Sequence, residues 1–244
     1  PGLMSWVTGI VPRVRPFTAH LWAAINDVQK EAQKKETKAR KRPKDLFFVR
    51  RVEHAVRWLA KFMEGESGGL IRILRLQDRQ RRTAWKIRTD ASTTGMAGIL
   101  YNEYDEPKAF WADDITDGDL KRFGSARGDP SYMAEWEILA VLVSLKIWIN
   151  YVKAAQTQLV VQTDSTAAMG AALKLASPRP LVNAVAAEIT LMLEATRADL
   201  LVPQHFRGVL NVEADALSRL NEGKEVPRRL TRVHREVPPV RNED

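Results

Sequence analysis

The sequence predicts an α/β protein in which one five-stranded mixed sheet is flanked by helices and preceded by a small helical segment. Two observations carry this prediction. Apolar residues recur at helical spacing up to Met63, and from residue 83 onward they alternate as they do in strands. The predicted elements then follow the order βββαβααβα, which is typical of a layered α/β domain. Of the 244 residues, 45% are hydrophobic, which is enough to bury a core.

The helical segment is expected to hold two helices separated by a polar, basic stretch. The first helix is marked by apolar residues at helical spacing, namely Leu21, Trp22, Ile25 and Val28. Asp45 is the predicted N-cap of the second helix. The apolar stripe of this helix runs from Val49 to Met63, and the helix is expected to end at Gly65.

Five strands and four main helices are predicted beyond this segment. The strands are TAWKIRTD, GMAGILYN, PKAFWA, QLVVQT and DLLVP, beginning at residues 83, 95, 107, 158 and 199. The helices are expected at roughly 131–151, directly after Asp164, at roughly 181–196, and over VEADALSRL. The polar stretch DDITDGDLKRFGSARGDP is expected to be a loop with a short helix.

These elements divide the chain into four parts. They are a helical, basic segment at 1–66, a linker at 67–82, the α/β domain at 83–221, and an extended or disordered tail at 222–244.

Charge is distributed unevenly along the chain. Residues 1–88 carry 21 Lys and Arg against 8 Asp and Glu, whereas residues 89–221 carry 11 against 17. A basic segment attracts nucleic-acid phosphates, although the run at 30–44 could equally be a solvated helix face. An acidic body that contacts a polyanion needs divalent cations between the two.

Composition also excludes several classes of protein. The chain has no cysteine, which rules out a disulfide framework and a Cys-based zinc site. No apolar run approaches the ~20 residues that span a bilayer, and no secretion signal is recognisable. We therefore expect an intracellular protein without a membrane partner.

Four carboxylates are predicted to converge on one cleft. Asp90 and Asp164 end the first and fourth strands, Glu137 lies early in the long helix, and Asp215 lies in the last helix. Ligands of open α/β sheets gather at the carboxyl ends of the strands. An all-oxygen set suits Mg²⁺ or Mn²⁺ rather than zinc or copper. Taken alone, Asp164 could instead be a helix N-cap.

Several of these stretches resemble the ribonuclease H domain that is fused to reverse transcriptases of retroviruses and gypsy-like LTR retrotransposons. The matching stretches are, in order, IRTDAS, EWEILAVLVSLKIW, VVQTDSTAAMG and VPQHFRGVLNVEADALSRL. The resemblance covers about residues 83–221 and implies a ribonuclease H-like fold. In addition, GLMSWVTGIVPRVRPFTAHLW resembles the start of a reverse-transcriptase thumb. This implies the remaining fingers and palm as partners within a longer polyprotein.

The resemblance implies that Asp90, Glu137, Asp164 and Asp215 hold two Mg²⁺ ions, for which Mn²⁺ can substitute, and that His205 is a mobile catalytic histidine. The implied activity is endonucleolytic hydrolysis of the RNA strand of RNA·DNA hybrids, leaving 5′-phosphates, during reverse transcription of a retroelement. The expected place is the cytoplasm, the nucleus or a virus-like particle. Further candidate substrate contacts are Ser92, Ser165, Lys34, Lys35, Arg40, Lys41 and Arg42.

Some alternatives remain open. The 46 residues between Asp90 and Glu137 exceed the usual gap in the family, so Glu135 stays an alternative to Glu137, although the Glu-x-x-Ala spacing favours Glu137. The Asp pair in FWADDIT resembles a polymerase turn, but it falls inside the nuclease unit and is expected to be loop. The second functional hypothesis is a non-catalytic hybrid-binding module. An integrase of the same superfamily is disfavoured, because AAMGAALKLA contains no acid.

Overall fold

The structure is a computed structural model that describes residues 7–9, 11, 14–34, 49–64, 84–155, 158–196 and 201–241. The predicted cap Asp45 and the predicted linker 67–82 lie outside these ranges.

A helical pair precedes the sheet, as predicted, with α1 at Arg15–Lys34 and α2 at Val49–Met63. The strands are β1 (Ala84–Ala91), β2 (Gly95–Tyr101), β3 (Pro107–Asp114), β4 (Gln158–Thr163), β5 (Leu201–His205) and β6 (His234–Arg235). The helices among them are α3 (Asp117–Phe123), α4 (Met133–Ala155), α5 (Thr166–Lys174), α6 (Pro180–Thr196) and α7 (Val212–Ser218).

The strands form one mixed sheet in the order β5-β4-β1-β2-β3-β6. β2 pairs antiparallel with both β1 and β3, whereas β4 pairs parallel with β1 and β5. The predicted mixed sheet flanked by helices is therefore confirmed. The sequence did not predict the short sixth strand, which pairs parallel with β3.

Helices cover both faces of the central strands. On one face α4 packs across β1 and β2, and it is itself covered by α5 and α6. An almost continuously apolar helix is expected in such a buried place, and Ile138, Val141 and Leu145 of α4 are indeed fully or almost fully buried. On the other face α7 packs against β2 through Ala214 and Leu217. Every residue of β2 is consequently buried.

Gly98 shows how closely α4 approaches the sheet. A Cβ atom at this position would lie 2.3 Å from Ser144 Oγ and 2.5 Å from Trp111 Nε1. These two atoms are hydrogen-bonded to each other, with the indole N–H donating over 2.9 Å. The glycine in the middle of β2 therefore allows a buried polar pair to lie directly against the strand.

The N-terminal helices pack against α6. Val14, Phe17, Ala55 and Leu59 form a buried cluster with Ala187 of α6. Phe17 also stacks on Trp58, with ring centroids 3.8 Å apart. Beside this cluster, the buried amide of Asn183 on α6 donates to Pro16 O over 3.0 Å.

The tail follows an ordered course in its described part, 222–241, for which an extended or a disordered course was expected. Leu230 is fully buried against the α7 side of the sheet. Further on, Arg241 pairs with Asp113 at 2.9 Å and with Asp119 at 3.0 Å. The aspartates of FWADDIT thus lie at the end of β3, and Asp113 binds the tail. In the part of the chain that the structure describes, no helix is long and apolar enough to cross a membrane.

Candidate functional site

Three carboxylates meet at the carboxyl ends of β1 and β4. Asp90 is the penultimate residue of β1, and Asp164 directly follows β4. Because these strands are parallel neighbours, their carboxyl ends lie side by side. Glu137 reaches the same place from the second turn of α4, which crosses β1. One oxygen from each of the three side chains lies within 4.8 Å of the other two, close enough to share a metal ion.

Burial raises the pKa of two of these carboxyl groups. Asp90 is 5% exposed and Glu137 is 6% exposed. The pKa of Asp90 is raised to about 6, mainly by burial and also by the charges of Asp164 and Asp215, whereas a hydrogen bond from Ser218 opposes the rise. Burial, followed by the charges of Asp90 and Asp164, raises the pKa of Glu137 well above its ordinary value. Without a cation, the site therefore favours bound protons.

The structure separates Glu137 from its alternative, Glu135. Glu137 accepts hydrogen bonds from the backbone of Ala91 and, at 3.4 Å, from Thr163 Oγ1. Glu135 is also buried, but one of its oxygens lies 3.2 Å from Nε of Arg179. Of these two glutamates, only Glu137 belongs to the group of three carboxylates that includes Asp90.

Asp164 is available to the site because its neighbour caps the following helix. Ser165, not Asp164, is the N-cap of α5, and its Oγ accepts from Ala168 N at 3.2 Å. On its other side, Asp164 lies against Gly208 in the connection from β5 to α7. A Cβ atom on Gly208 would be 2.7 Å from Asp164 Oδ2. The glycine thus leaves the room that the carboxylate occupies.

Asp215, the fourth predicted ligand, lies next to the group of three but outside it. Its Oδ1 accepts from Arg219 Nε at 2.8 Å, one helical turn away on α7. It is still close enough for its charge to raise the pKa of Asp90. The pairing with Arg219 also raises the pKa of that guanidinium group.

His205 is the last residue of β5 and is exposed. Its pairing partner on the neighbouring strand β4 is Thr163, the residue directly before Asp164. The predicted histidine is therefore next to the strand end that carries a candidate ligand.

The predicted substrate contacts have different outcomes. Ser92 is 1% exposed, and its Oγ donates to Ser218 O at 2.9 Å and accepts from Gly95 N at 2.9 Å. Ser92 is thus buried in the β1–β2 turn and bonded to the chain itself, and its contact with substrate stays a prediction. Ser165 remains half-buried beside Asp164 and stays a prediction. Lys34 ends α1, and the other basic candidates, Lys35, Arg40, Lys41 and Arg42, lie outside the described residues.

Two buried residues that the sequence did not single out touch Asp90. Ser218 Oγ donates to Asp90 Oδ2 at 2.6 Å. Asn211 Nδ2 donates to Thr89 O at 3.1 Å and is 3.4 Å from Asp90 Oδ1. Both lie in NVEADALSR at helical spacing from Asp215, four residues before and three after it. This spacing on one helix face could have identified them.

Comparison with known proteins yields structural neighbours only. No family model and no curated protein matches the chain. LC11-RNase H1, isolated from compost by a metagenomic approach, is 15% identical with a TM-score of 0.43, over 57% of this chain and 93% of its own. RNase H1 of the archaeon Halobacterium salinarum is 15% identical with a TM-score of 0.41, over 58% of this chain and 98% of its own.

A viral polymerase is also among the neighbours. The prototype foamy virus protease-reverse transcriptase is 13% identical with a TM-score of 0.34, over 77% of this chain and 21% of its own. All three TM-scores lie below 0.5. The structural neighbours of this chain are thus RNase H1 and the protease-reverse transcriptase of a foamy virus.

Proposed function

We propose that this chain is a metal-dependent ribonuclease H that hydrolyses the RNA strand of RNA·DNA hybrids endonucleolytically during reverse transcription of a retroelement. The observation that carries the proposal is the convergence of Asp90, Glu137 and Asp164 within 4.8 Å. Two of these acids are buried, where unneutralised carboxylates are costly. Gathering three of them destabilises the fold unless a cation or protons compensate.

The donor set fits Mg²⁺. All three side chains offer hard carboxylate oxygens, which Mg²⁺ and Mn²⁺ prefer, and the chain has no cysteine to favour a softer metal. Asp90, Glu137 and Asp164 would hold one ion. Asp90 and Asp215 would hold a second, for which Asp215 has to exchange its Arg219 partner. Two bound ions would supply charge stabilisation at the phosphate and lower the pKa of a water molecule.

The remaining steps fall to the side chains themselves. Asp90 lies between the other acids and Asp215, so it is the natural shared ligand. Once ionised, the three carboxylates would hold the metal ions in fixed positions beside the reacting phosphate. His205, exposed at the end of β5, would hold or release a proton at the leaving 3′ oxygen of the RNA.

The rest of the chain is assigned by the same proposal. Residues 83–221 form the nuclease domain, and residues 1–66 form a thumb-like segment whose basic residues hold the duplex upstream. The linker 67–82 and the tail 222–244 complete this division. The fingers and palm of a reverse transcriptase are the proposed partners, in the cytoplasm, the nucleus or a virus-like particle.

The direct test is cleavage of a 5′-labelled RNA·DNA hybrid in Mg²⁺ and then in Mn²⁺, with an RNA·RNA duplex as the matched substrate. Asp164→Asn should reduce cleavage at least ~100-fold while hybrid binding persists, because the substitution removes a ligand charge but no bulk. Asp129→Asn is the matched control. Asp129 caps a short helix by accepting from Ser131 N, a role that asparagine also fills.

The outcomes separate the hypotheses. Hybrid-specific, metal-dependent cleavage that survives Asp129→Asn but not Asp164→Asn supports the proposal. Tight hybrid binding by the unaltered protein without cleavage in either metal would favour the non-catalytic binding module. Undiminished cleavage by Asp164→Asn would mean that the catalytic site lies elsewhere.

A further inference from the structure

The carboxylate of Asp90 is contacted at both oxygens from α7 and its N-cap. Ser218 donates its hydroxyl hydrogen to Oδ2 over 2.6 Å, the shorter of its two hydrogen bonds. Asn211 Nδ2 lies 3.4 Å from Oδ1 and donates to the carbonyl of Thr89 at 3.1 Å. Ser218 is 1% exposed and Asn211 is 2% exposed, so neither contact is a mobile surface pairing.

The position of Ser218 is fixed by the β1–β2 turn. Ser92 Oγ donates to the backbone carbonyl of Ser218 over 2.9 Å. Gly95 lies so close that a Cβ atom on it would be 2.5 Å from the same carbonyl oxygen. The end of α7 is therefore held against the β1–β2 turn, which keeps the backbone of Ser218 beside Asp90.

The amide of Asn211 has one unused group. Among the described residues, its buried Oδ1 has no hydrogen-bond partner, whereas its Nδ2 contacts Thr89 and Asp90. A buried amide oxygen without a hydrogen-bond partner costs free energy, which the contacts of Nδ2 have to offset.

We propose that Asn211 and Ser218 are positioning residues that orient the Asp90 carboxylate for metal binding. The inference rests on the proposed function and names the two residues that orient Asp90, the ligand shared by both metal ions. Two donors on two oxygens restrict rotation of the carboxylate about its Cβ–Cγ bond. Hydrogen-bond partners of metal ligands commonly act in this way.

The experiment measures Mn²⁺ binding by titration calorimetry and, separately, the rise in melting temperature that Mn²⁺ produces. Ser218→Ala and Asn211→Ala should each weaken Mn²⁺ binding by roughly 10–100-fold. Ser218→Thr keeps the hydroxyl group and should restore most of the affinity. Because calorimetry needs no substrate, the readout is independent of cleavage.

Two control variants remove comparable groups elsewhere. Ser125→Ala deletes a buried hydroxyl that has no partner among the described residues. Asn183→Ala deletes an equally buried amide, 2% exposed, that bonds to Pro16 at the α1–α6 contact. The latter should lower the melting temperature of the metal-free protein while leaving Mn²⁺ affinity unchanged, which separates a structural loss from a positioning loss.

The inference is overturned if Ser218→Ala and Asn211→Ala bind Mn²⁺ as tightly as the unaltered protein, or if Asn183→Ala weakens Mn²⁺ binding as much as they do. A different result identifies failure of the proposed function. If Mn²⁺ neither binds nor raises the melting temperature of the unaltered protein and the two controls, the metal site itself is absent and the inference falls with it.

Discussion

Burial decides the acid–base behaviour of Asp90, and this can be measured in the metal-free protein. Its pKa rises from 3.8 to about 6 on folding, so the folded state holds this proton more tightly than the unfolded state. The tighter binding of this proton adds roughly 3 kcal/mol to the free energy of unfolding. This contribution is fully present below pH ~4 and is lost as the pH rises through ~6. Glu137, whose pKa is also raised, acts in the same direction.

We therefore expect Asp90→Asn to be more stable than the unaltered protein at pH 7 in EDTA, with the difference shrinking toward pH 4. Thermal melts across this range measure that difference, to which the loss of the Asp90 charge beside Glu137 also contributes. Added Mg²⁺ should stabilise the unaltered protein more at pH 7 than at pH 5, because binding requires ionised carboxylates. A stability difference that does not depend on pH would contradict the assigned burial effect.

Gly208 is a second residue with a specific expected effect. In Gly208→Ala the methyl group would lie 2.7 Å from Asp164 Oδ2, so the carboxylate has to move. A displacement of this kind in a catalytic site commonly costs ~100-fold in rate. We expect metal affinity and cleavage to fall together, measured by calorimetry and by the hybrid assay.

Gly170→Ala is the matched control for Gly208→Ala. Gly170 lies within α5, and a Cβ atom there would meet nothing within 4 Å. Alanine is the better helix former by about 1 kcal/mol, so this variant should be slightly more stable with unchanged metal affinity. Equal metal affinity in both variants would show that Asp164 does not need the room beside Gly208.

Among the described helices, α1 is the element that connects the N-terminal pair to the α/β domain, since it contacts both α2 and α6. Leu59 on α2 is 6% exposed and packs in the cluster with Phe17 and Ala187, whereas Val56 on the same helix is 49% exposed. Leu59→Ala should destabilise the protein by about 2–5 kcal/mol, and Val56→Ala by less than about 1 kcal/mol.

Urea denaturation measures both changes. Mn²⁺ affinity should be the same in the two variants, because neither residue touches the carboxylates. Comparable stabilities of Leu59→Ala and Val56→Ala would show that the cluster does not join the helical pair to the rest of the fold.

The regular elements could be predicted well from periodicity alone. QLVVQT coincides with β4, and Val49–Met63 coincides with α2, because both patterns are strong and local. β6 could not be predicted in this way. It consists of two residues that become a strand only by pairing with β3, and this pairing is a tertiary event.

At the scale of the whole molecule, the basic N-terminal segment and the acidic body predict a salt-dependent interaction with nucleic acid. Replacing Lys34, Lys35, Arg40, Lys41 and Arg42 by Gln should weaken hybrid binding. It should also reduce the slope of log K against log salt by roughly 0.9 for each phosphate that the segment no longer neutralises. Fluorescence anisotropy at several salt concentrations measures this slope. An unchanged slope would identify the segment as a solvated surface.

The candidate site could be predicted from the sequence only in part. Asp90 and Asp164 were recognisable because strand ends of a parallel pair meet, and Glu137 because it lies early in a helix that crosses them. The pairing of Asp215 with Arg219 is an i,i+4 contact that helical spacing predicts. The burial of Ser92 and the contacts of Asn211 and Ser218 with Asp90 depend instead on how α7 packs against β1 and β2. Helical spacing places Asn211 and Ser218 on the same helix face as Asp215, but which strand residues that face contacts is decided by tertiary packing.

The most direct measurement is the anomalous diffraction of a crystal of the protein soaked in Mn²⁺. We predict a strong anomalous peak between Asp90, Glu137 and Asp164, bound directly by one oxygen of each, and no such peak in crystals of Asp164→Asn. A map without a peak among these three carboxylates, at a Mn²⁺ concentration that supports cleavage of the hybrid, would contradict the central claim that they form the metal centre.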